Sequence, residues 1–140
     1  MDVSKMPTMD SVARFKAAME SDKGALGPFM ISTDPAFVEA AGYAGYDFVL
    51  LDMEHGTTTH QTLPNLIRAA NVAGVCPVVR VPRGTDIWID QALDVGAGAV
   101  MVPQIDTAEQ ARCGRRQVLS HRQPWYLPLC PLRGLRRNPR

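Results

Sequence analysis

Apolar runs alternate with amphipathic stretches along this chain. Residues 10–20, Asp-Ser-Val-Ala-Arg-Phe-Lys-Ala-Ala-Met-Glu, place Val12, Phe15 and Met19 at helical spacing, with Asp10 or Ser11 as N-cap. Gly24 ends that helix, and residues 26–31 form the first candidate strand. Ser32-Thr33-Asp34-Pro35 opens a second helix, with proline inside its first turn. Over residues 36–44 that helix sets Phe37, Ala40, Ala41 and Ala44 on one side, small enough on the whole to pack closely on a sheet.

The next strand spans residues 46–51 and ends abruptly in Asp52, Glu54, His55 and Gly56. Thr57 to Thr59 are expected to begin a helix through Leu63, Leu66, Ile67 and Ala70, closing near Gly74; Pro64 fits only in its first turn. Residues 77–81, Pro-Val-Val-Arg-Val, form a third strand, followed by a helix capped by Asp86 with Ile87, Ile89, Ala92 and Leu93 as apolar positions. Residues 99–102 form a fourth strand ending at Pro103 and Gln104, and another helix starts over residues 106–112.

Short buried strands alternating with helices imply βαβ units and a parallel sheet. Right-handed crossovers put the helices on one side when such a sheet curls, and four units are half of a (β/α)₈ barrel, which typically needs ~250 residues. An open doubly wound sheet competes, weakened by the absence of a Gly-x-Gly-x-x-Gly turn after the first strand. The expected fold class is therefore α/β: parallel βα units forming the N-terminal half of a TIM barrel over residues 1–112.

Charge divides the chain at the same point. Residues 1–112 hold all fourteen acids against eight Lys and Arg, a net −6; residues 113–140 hold seven arginines and no acid. Cys113-Gly-Arg-Arg is expected to break the last helix. Beyond it, Pro124, Pro128, Pro131 and Pro139 leave no sustained period, so 113–140 reads as an irregular Arg/Pro-rich tail, disordered or out of frame. Its arginines, with Trp125 and Tyr126, lack any recognition motif, so non-specific charge accounts for them better than nucleic-acid binding.

Composition narrows the class. The 46% hydrophobic content is that of a globular protein, and no apolar stretch is long enough to span a bilayer. The N-terminus contains acids among alternating polar and apolar residues, unlike a signal peptide. Cys76, Cys113 and Cys130, odd in number and widely spaced, form neither a disulfide framework nor a metal knuckle, so a reduced, cytoplasmic protein is expected.

The candidate chemistry lies at strand ends: Asp52, Glu54 and His55, then Arg80, then Gln104. A lone loop histidine is weak evidence, but beside two acids it suits proton transfer near neutral pH. His60 lies about 140° from His55 around a helix, so the two would not share a face as metal ligands. Asp52 and Glu54 are either ligands for a hard cation or a loop cap and an ion-pair partner. Arg80, near the end of an apolar strand, needs an anionic partner: a substrate carboxylate bound bidentately, or Asp52 or Glu54. Asp94 lies at a helix end and approaches the site only if that helix turns back toward the strand tips.

The segments Gly45-Tyr-Asp-Phe-Val-Leu-Leu-Asp-Met-Glu-His-Gly56, Pro77-Val-Val-Arg-Val-Pro82, Leu93-Asp-Val-Gly-Ala97, and Val102-Pro103 with Thr107-Ala-Glu-Gln-Ala111 resemble the HpcH/HpaI aldolase family over residues 26–112. The family comprises class II, metal-dependent pyruvate aldolases acting on 4-hydroxy-2-oxo acids. The resemblance implies a (β/α)₈ barrel assembled into homo-oligomers and reversible cleavage to pyruvate and an aldehyde. It matches His55 to the catalytic histidine, Asp94 to its paired aspartate, Arg80 to the arginine that binds pyruvate and stabilises its enolate, and Phe29, more loosely, to a substrate-contacting aromatic. Gln104 joins Arg80 and Phe29 as a substrate-binding candidate. A divalent cation (Mg, Mn or Co) is implied for the full-length family, with a glutamate and an aspartate from later strands as ligands, so none is expected in this chain. On this reading the chain alone is inactive, the competing reading being a non-catalytic half-barrel that binds an oxo acid or pairs with another chain. Neither a membrane nor a specific nucleic acid is implied.

Overall fold

A computed structural model describes residues 7–120 and 127–129 of the chain. The elements in order are α1 (Pro7–Glu20), β1 (Phe29–Met30), α2 (Pro35–Tyr43), β2 (Phe48–Asp52), α3 (Leu63–Ala73), β3 (Cys76–Arg80), α4 (Asp86–Asp94), β4 (Ala99–Met101), α5 (Ala108–Ser120) and β5 (Leu127–Leu129). The strands form one sheet in the order β1-β2-β3-β4-β5, and every neighbouring pair is parallel. This is the consecutive βα order of a (β/α)₈ barrel, and the chain holds its N-terminal half.

Alternation along the strands divides the sheet into two faces. Val49, Leu51, Val79, Val81 and Val100 point outward into a core with Val38 of α2, Leu63, Leu66, Ile67 and Ala70 of α3, and Ile89, Ala92 and Leu93 of α4. Leu50, Cys76, Val78 and Ala99 point inward, where α1 meets them with Val12 and Phe15. Phe15 also packs on Phe48, ring centroids 5.1 Å apart. Helix α1 thus covers the strand starts on the inner face. A Cβ on Gly98 would come within 2.8 Å of Val12 and 2.9 Å of Cys76, so a glycine lets α1 sit that close.

Local chemistry sets the start of α2 and both ends of α3. Asp34 caps α2, its Oδ1 accepting from the Ala36 N–H at 2.9 Å, and Pro35 follows in the first turn. Pro64 lies in the first turn of α3, and Gly74 closes that helix with φ +68°, a left-handed cap.

Several expectations are corrected. Helix α1 starts at Pro7, so Asp10 sits inside its first turn and bridges to Arg14 at 3.2 Å instead of capping. Helix α3 starts at Leu63, because Thr59 and Thr62 exchange hydrogen bonds through side chain and backbone and hold a turn before it. Thr85, not Asp86, is the N-cap residue of α4. In α2 the sheet-facing residues are Val38 and Ala41; Phe37, Ala40 and Ala44 face outward. Val38 is fully buried in the core that also holds Val49 and Leu51 of β2, and Phe37, one position before it on the helix, turns to solvent.

The helix expected to break at Cys113 runs on to Ser120, and Leu127–Leu129 add a fifth parallel strand, so regular structure extends past residue 112. Ala111 and Val118, seven residues apart and both buried, anchor one stripe of α5. The arginines on its other side are good helix formers, and this outweighs the single Gly114. Pro128 is tolerated because β5 is the last strand of the described sheet. The expectation of disorder over 121–126 and 130–140 lies outside the described residues.

Candidate active site

Because α1 covers the strand starts, the opposite end of the inner face carries the polar side chains. Asp52 and Arg80 are register partners at the ends of β2 and β3. They share the inward parity of Leu50 and Val78. On the other side of β2, Phe29 pairs with Leu50 and so also faces inward.

Asp52 is 1% exposed. Arg80 grips its carboxylate with two parallel hydrogen bonds, Nε to Oδ1 at 2.8 Å and Nη2 to Oδ2 at 2.7 Å. Oδ1 also accepts the backbone N–H groups of Glu54 at 3.0 Å and His55 at 3.3 Å. These donors hold the Asp52 carboxyl below its ordinary range, the Arg80 hydrogen bonds contributing most, against burial, which raises it. The same contact raises the Arg80 guanidinium further above its already high value.

Glu54 extends the network. Its Oε2 lies 3.3 Å from Arg80 Nε, its Oε1 accepts from Gln104 Nε2 at 3.1 Å, and that same oxygen stands 3.7 Å from His55 Nε2. The imidazole itself is 72% exposed. Phe29 covers one face of the guanidinium, its ring centroid 5.0 Å from Arg80 Cζ, a cation–π distance. Gln104 holds φ +55° in the loop after β4, a conformation that costs a non-glycine residue about 1–2 kcal/mol.

The loop after β2 is pinned on both sides. Thr57 Oγ1 donates to the Ile31 carbonyl at 2.8 Å, tying it to the end of β1. Gly56 is required there, since a Cβ would lie 2.4 Å from the Asp52 carbonyl oxygen.

The structure therefore brings together Phe29, His55, Arg80 and Gln104 from the sequence-based set. Asp94 stays apart: α4 runs back from the strand tips, so its last residue lies at the N-terminal end of the sheet, beside the turn where the Gly98 N–H donates to the Pro77 carbonyl. A five-residue strand, roughly 15 Å, separates the two ends, and the expected pairing of Asp94 with His55 does not form within this chain. Asp52 and Glu54, weighed as cap, ion-pair partner or ligand, occupy the centre of the network instead. Their signal was already in the sequence, as two acids on the strand tip that carries His55.

These residues do not by themselves fit a divalent cation. Both oxygens of Asp52 and both of Glu54 are engaged by Arg80, Gln104 and backbone amides, and no group of three or more His, Cys, Asp or Glu among the described residues is arranged to hold a metal. Nor is any helix among them long and apolar enough to cross a membrane.

A parallel βα sheet with acids, a guanidinium and an imidazole on its strand tips is the site plan of a barrel enzyme. The family model for HpcH/HpaI aldolase/citrate lyase matches residues 26–123, and the chain belongs to that family. The match continues beyond residue 112, where the sequence resemblance ended. A 2-dehydro-3,6-dideoxy-6-sulfogluconate aldolase of Pseudomonas putida is 40% identical over 87 residues, covering 62% of this chain and 34% of that protein. A hydroxypyruvate/pyruvate aldolase of Agrobacterium fabrum is 39% identical over 98 residues, 70% of this chain and 37% of that protein. The crystal structure of an HpcH/HpaI aldolase/citrate lyase family protein from Burkholderia cenocepacia superposes with a TM-score of 0.70 at 30% identity, covering 76% of this chain and 42% of that one. The chain thus spans little more than a third of the length of the curated relatives it matches.

Proposed function

We propose that these strand tips form the oxo-acid side of a carbon–carbon lyase site, acting in the reversible aldol cleavage of a 4-hydroxy-2-oxo acid to pyruvate and an aldehyde. The observation that carries this reading is Arg80, a guanidinium fixed by Asp52 at a strand end in a chain of an aldolase family. Asp52 takes the Nε/Nη2 edge, which leaves the Nη1 edge for a ligand. That favours Arg80 as a substrate anchor whose orientation is already set before binding.

Cleavage removes the proton of the 4-hydroxyl, breaks the C3–C4 bond, releases the aldehyde and leaves the electron pair on the pyruvate enolate. Protonation at C3 then gives pyruvate. The exposed His55 imidazole, with Glu54 beside it, is the base for the hydroxyl proton, and Arg80 opposes the enolate charge as it develops. Phe29 and Gln104 flank the same anion from β1 and the loop after β4. The chain is further proposed to act as a homo-oligomer with a divalent cation (Mg, Mn or Co), in the cytoplasm.

The engagement of every Asp52 and Glu54 oxygen favours a second reading, in which this chain binds a 2-oxo acid without turning it over. Purified 140-residue protein, supplied with 4-hydroxy-2-oxo acids and each cation in turn, is to be assayed for pyruvate release and titrated with pyruvate. Turnover that disappears in His55→Ala supports the lyase. Saturable pyruvate binding without turnover, lost in Arg80→Ala, supports the second reading, and absence of both overturns the two together.

A further inference from the structure

Asp52 has more partners than an ion pair with Arg80 requires. Four N–H donors converge on one buried carboxylate: two from the β3 guanidinium and two from the backbone that presents Glu54 and His55. Its Oδ1 alone accepts three of them. Gly56 permits this turn by letting the chain pass within van der Waals reach of the Asp52 carbonyl. The side chains that would act on a substrate come from different strands, and the carboxylate of Asp52 is bonded to the segments that carry both.

We infer that Asp52 is a positioning residue that couples the His55 loop to Arg80, so that the orientation of the guanidinium and the course of the 53–56 backbone are fixed together. The carboxylate can accept all four donors only with the loop closed over it and the arginine side-on. If Arg80 swings away, Oδ1 loses its charged donor and its hold on the two amides relaxes; if the loop opens, the carboxylate is free to turn and the fork loses alignment. Glu54 reinforces the coupling, since its Oε2 reaches Arg80 while its backbone N–H is held by Asp52. This inference rests on the proposed function only in taking Arg80 and His55 as the residues that meet substrate; the linkage itself is measurable without turnover.

The experiment is amide hydrogen exchange and arginine side-chain NMR on the full chain, in wild type, Asp52→Asn and Arg80→Lys. In wild type the Arg80 Nε–H gives a resolved, slowly exchanging signal. Asp52→Asn abolishes it and speeds exchange of the Glu54 and His55 amides by about tenfold, the worth of one net hydrogen bond, while the Leu50 amide, bonded to the Pro28 carbonyl, is unchanged. Arg80→Lys keeps the charge but loses the fork, and it speeds the same two amides by a smaller factor although it touches neither of them. Unchanged His55 exchange in both variants, or an equal rise at Leu50, overturns the inference. If Asp52→Asn does not fold, Arg80→Lys and the wild-type Nε–H signal decide between the same outcomes. Pyruvate added to wild type then separates the two questions: a linkage that holds while pyruvate leaves the Arg80 signals unmoved sinks the functional reading and keeps the coupling.

Discussion

Arg80 and Asp52 meet as register partners on adjacent parallel strands, joined by hydrogen bonds of 2.8 and 2.7 Å in a fork that is almost closed to water. A buried pair of this kind is worth little against an apolar replacement, but removing one partner strands the other charge and costs about 3–5 kcal/mol. Glu54, 3.3 Å from Arg80, offsets part of that loss. Asp52→Asn should therefore cost about 3 kcal/mol at neutral pH, measured by urea denaturation.

The pH dependence has a definite sign. The Asp52 carboxyl is held below its ordinary 3.8, chiefly by the Arg80 hydrogen bonds. A group depressed on folding contributes stability that is complete above its unfolded value and is lost as pH falls through its folded one. The gap between wild type and Asp52→Asn should be constant from pH 8 to 5 and narrow as the pH drops below 3.8. Thermal denaturation at pH 6 and pH 3 checks this; a gap that widens in acid contradicts the assignment.

Gln104 exchanges stability for placement. Its φ of +55° puts the amide within 3.1 Å of Glu54. Relief of about 1–2 kcal/mol in Gln104→Gly is partly cancelled by the greater entropy of unfolded glycine, about 0.5–1 kcal/mol. The variant should be more stable than wild type by up to about 1 kcal/mol, and pyruvate binding should weaken. Denaturant midpoints and a pyruvate titration on the same preparation test both parts; a loss of stability would mean the Gln104–Glu54 bond outweighs the strain.

Much of this arrangement was legible in the sequence, for identifiable reasons. Strand-ending acids beside His55, and an arginine closing the apolar run before Val81, marked the sheet tips because buried strands are apolar until they leave the core. What the sequence left open was the partner of Arg80: a substrate or an internal acid satisfies the same charge, and only the register Asp52↔Arg80 shows which acid lies opposite. Asp94 stayed open because the resemblance carries residue identity without direction. A helix that returns antiparallel to its strands delivers its last residue to the far end of the sheet. The reach of α5 was hidden by Gly114 and the arginines, whose composition signals a loop until Ala111 and Val118 are seen to be buried on one side.

The cysteines should differ sharply in reactivity. Cys76 is buried between α1 and the inner face, and burial pushes its thiol up to about 12, so it is neither accessible nor ionised near neutrality. Cys113 lies exposed on α5. Brief treatment of the native protein with iodoacetamide at pH 8, followed by peptide mass spectrometry, should modify Cys113 and leave Cys76 untouched until denaturant is added. Early labelling of Cys76 would show that α1 does not stay closed on the sheet.

Helix α2 offers a test in which the two assignments of its faces predict opposite rankings. With Phe37 inward, truncating it would remove the largest side chain of the α2–sheet contact and cost about 3–5 kcal/mol. In the structure Phe37 is 59% exposed and Val38 is fully buried in the core. Phe37→Ser should therefore stay within about 0.5 kcal/mol of wild type, whereas Val38→Ala should cost about 2 kcal/mol for two lost methyl groups and the space they leave. Phe37 is one of several large apolar side chains left exposed, with Tyr43, Leu26 and Ile31. Exposed apolar surface promotes association. Phe37→Ser should accordingly lower the apparent mass of the protein in sedimentation velocity at high concentration while its unfolding midpoint holds. An equal loss of stability in both variants would restore the inward assignment of Phe37 and remove its side chain from the exposed apolar surface.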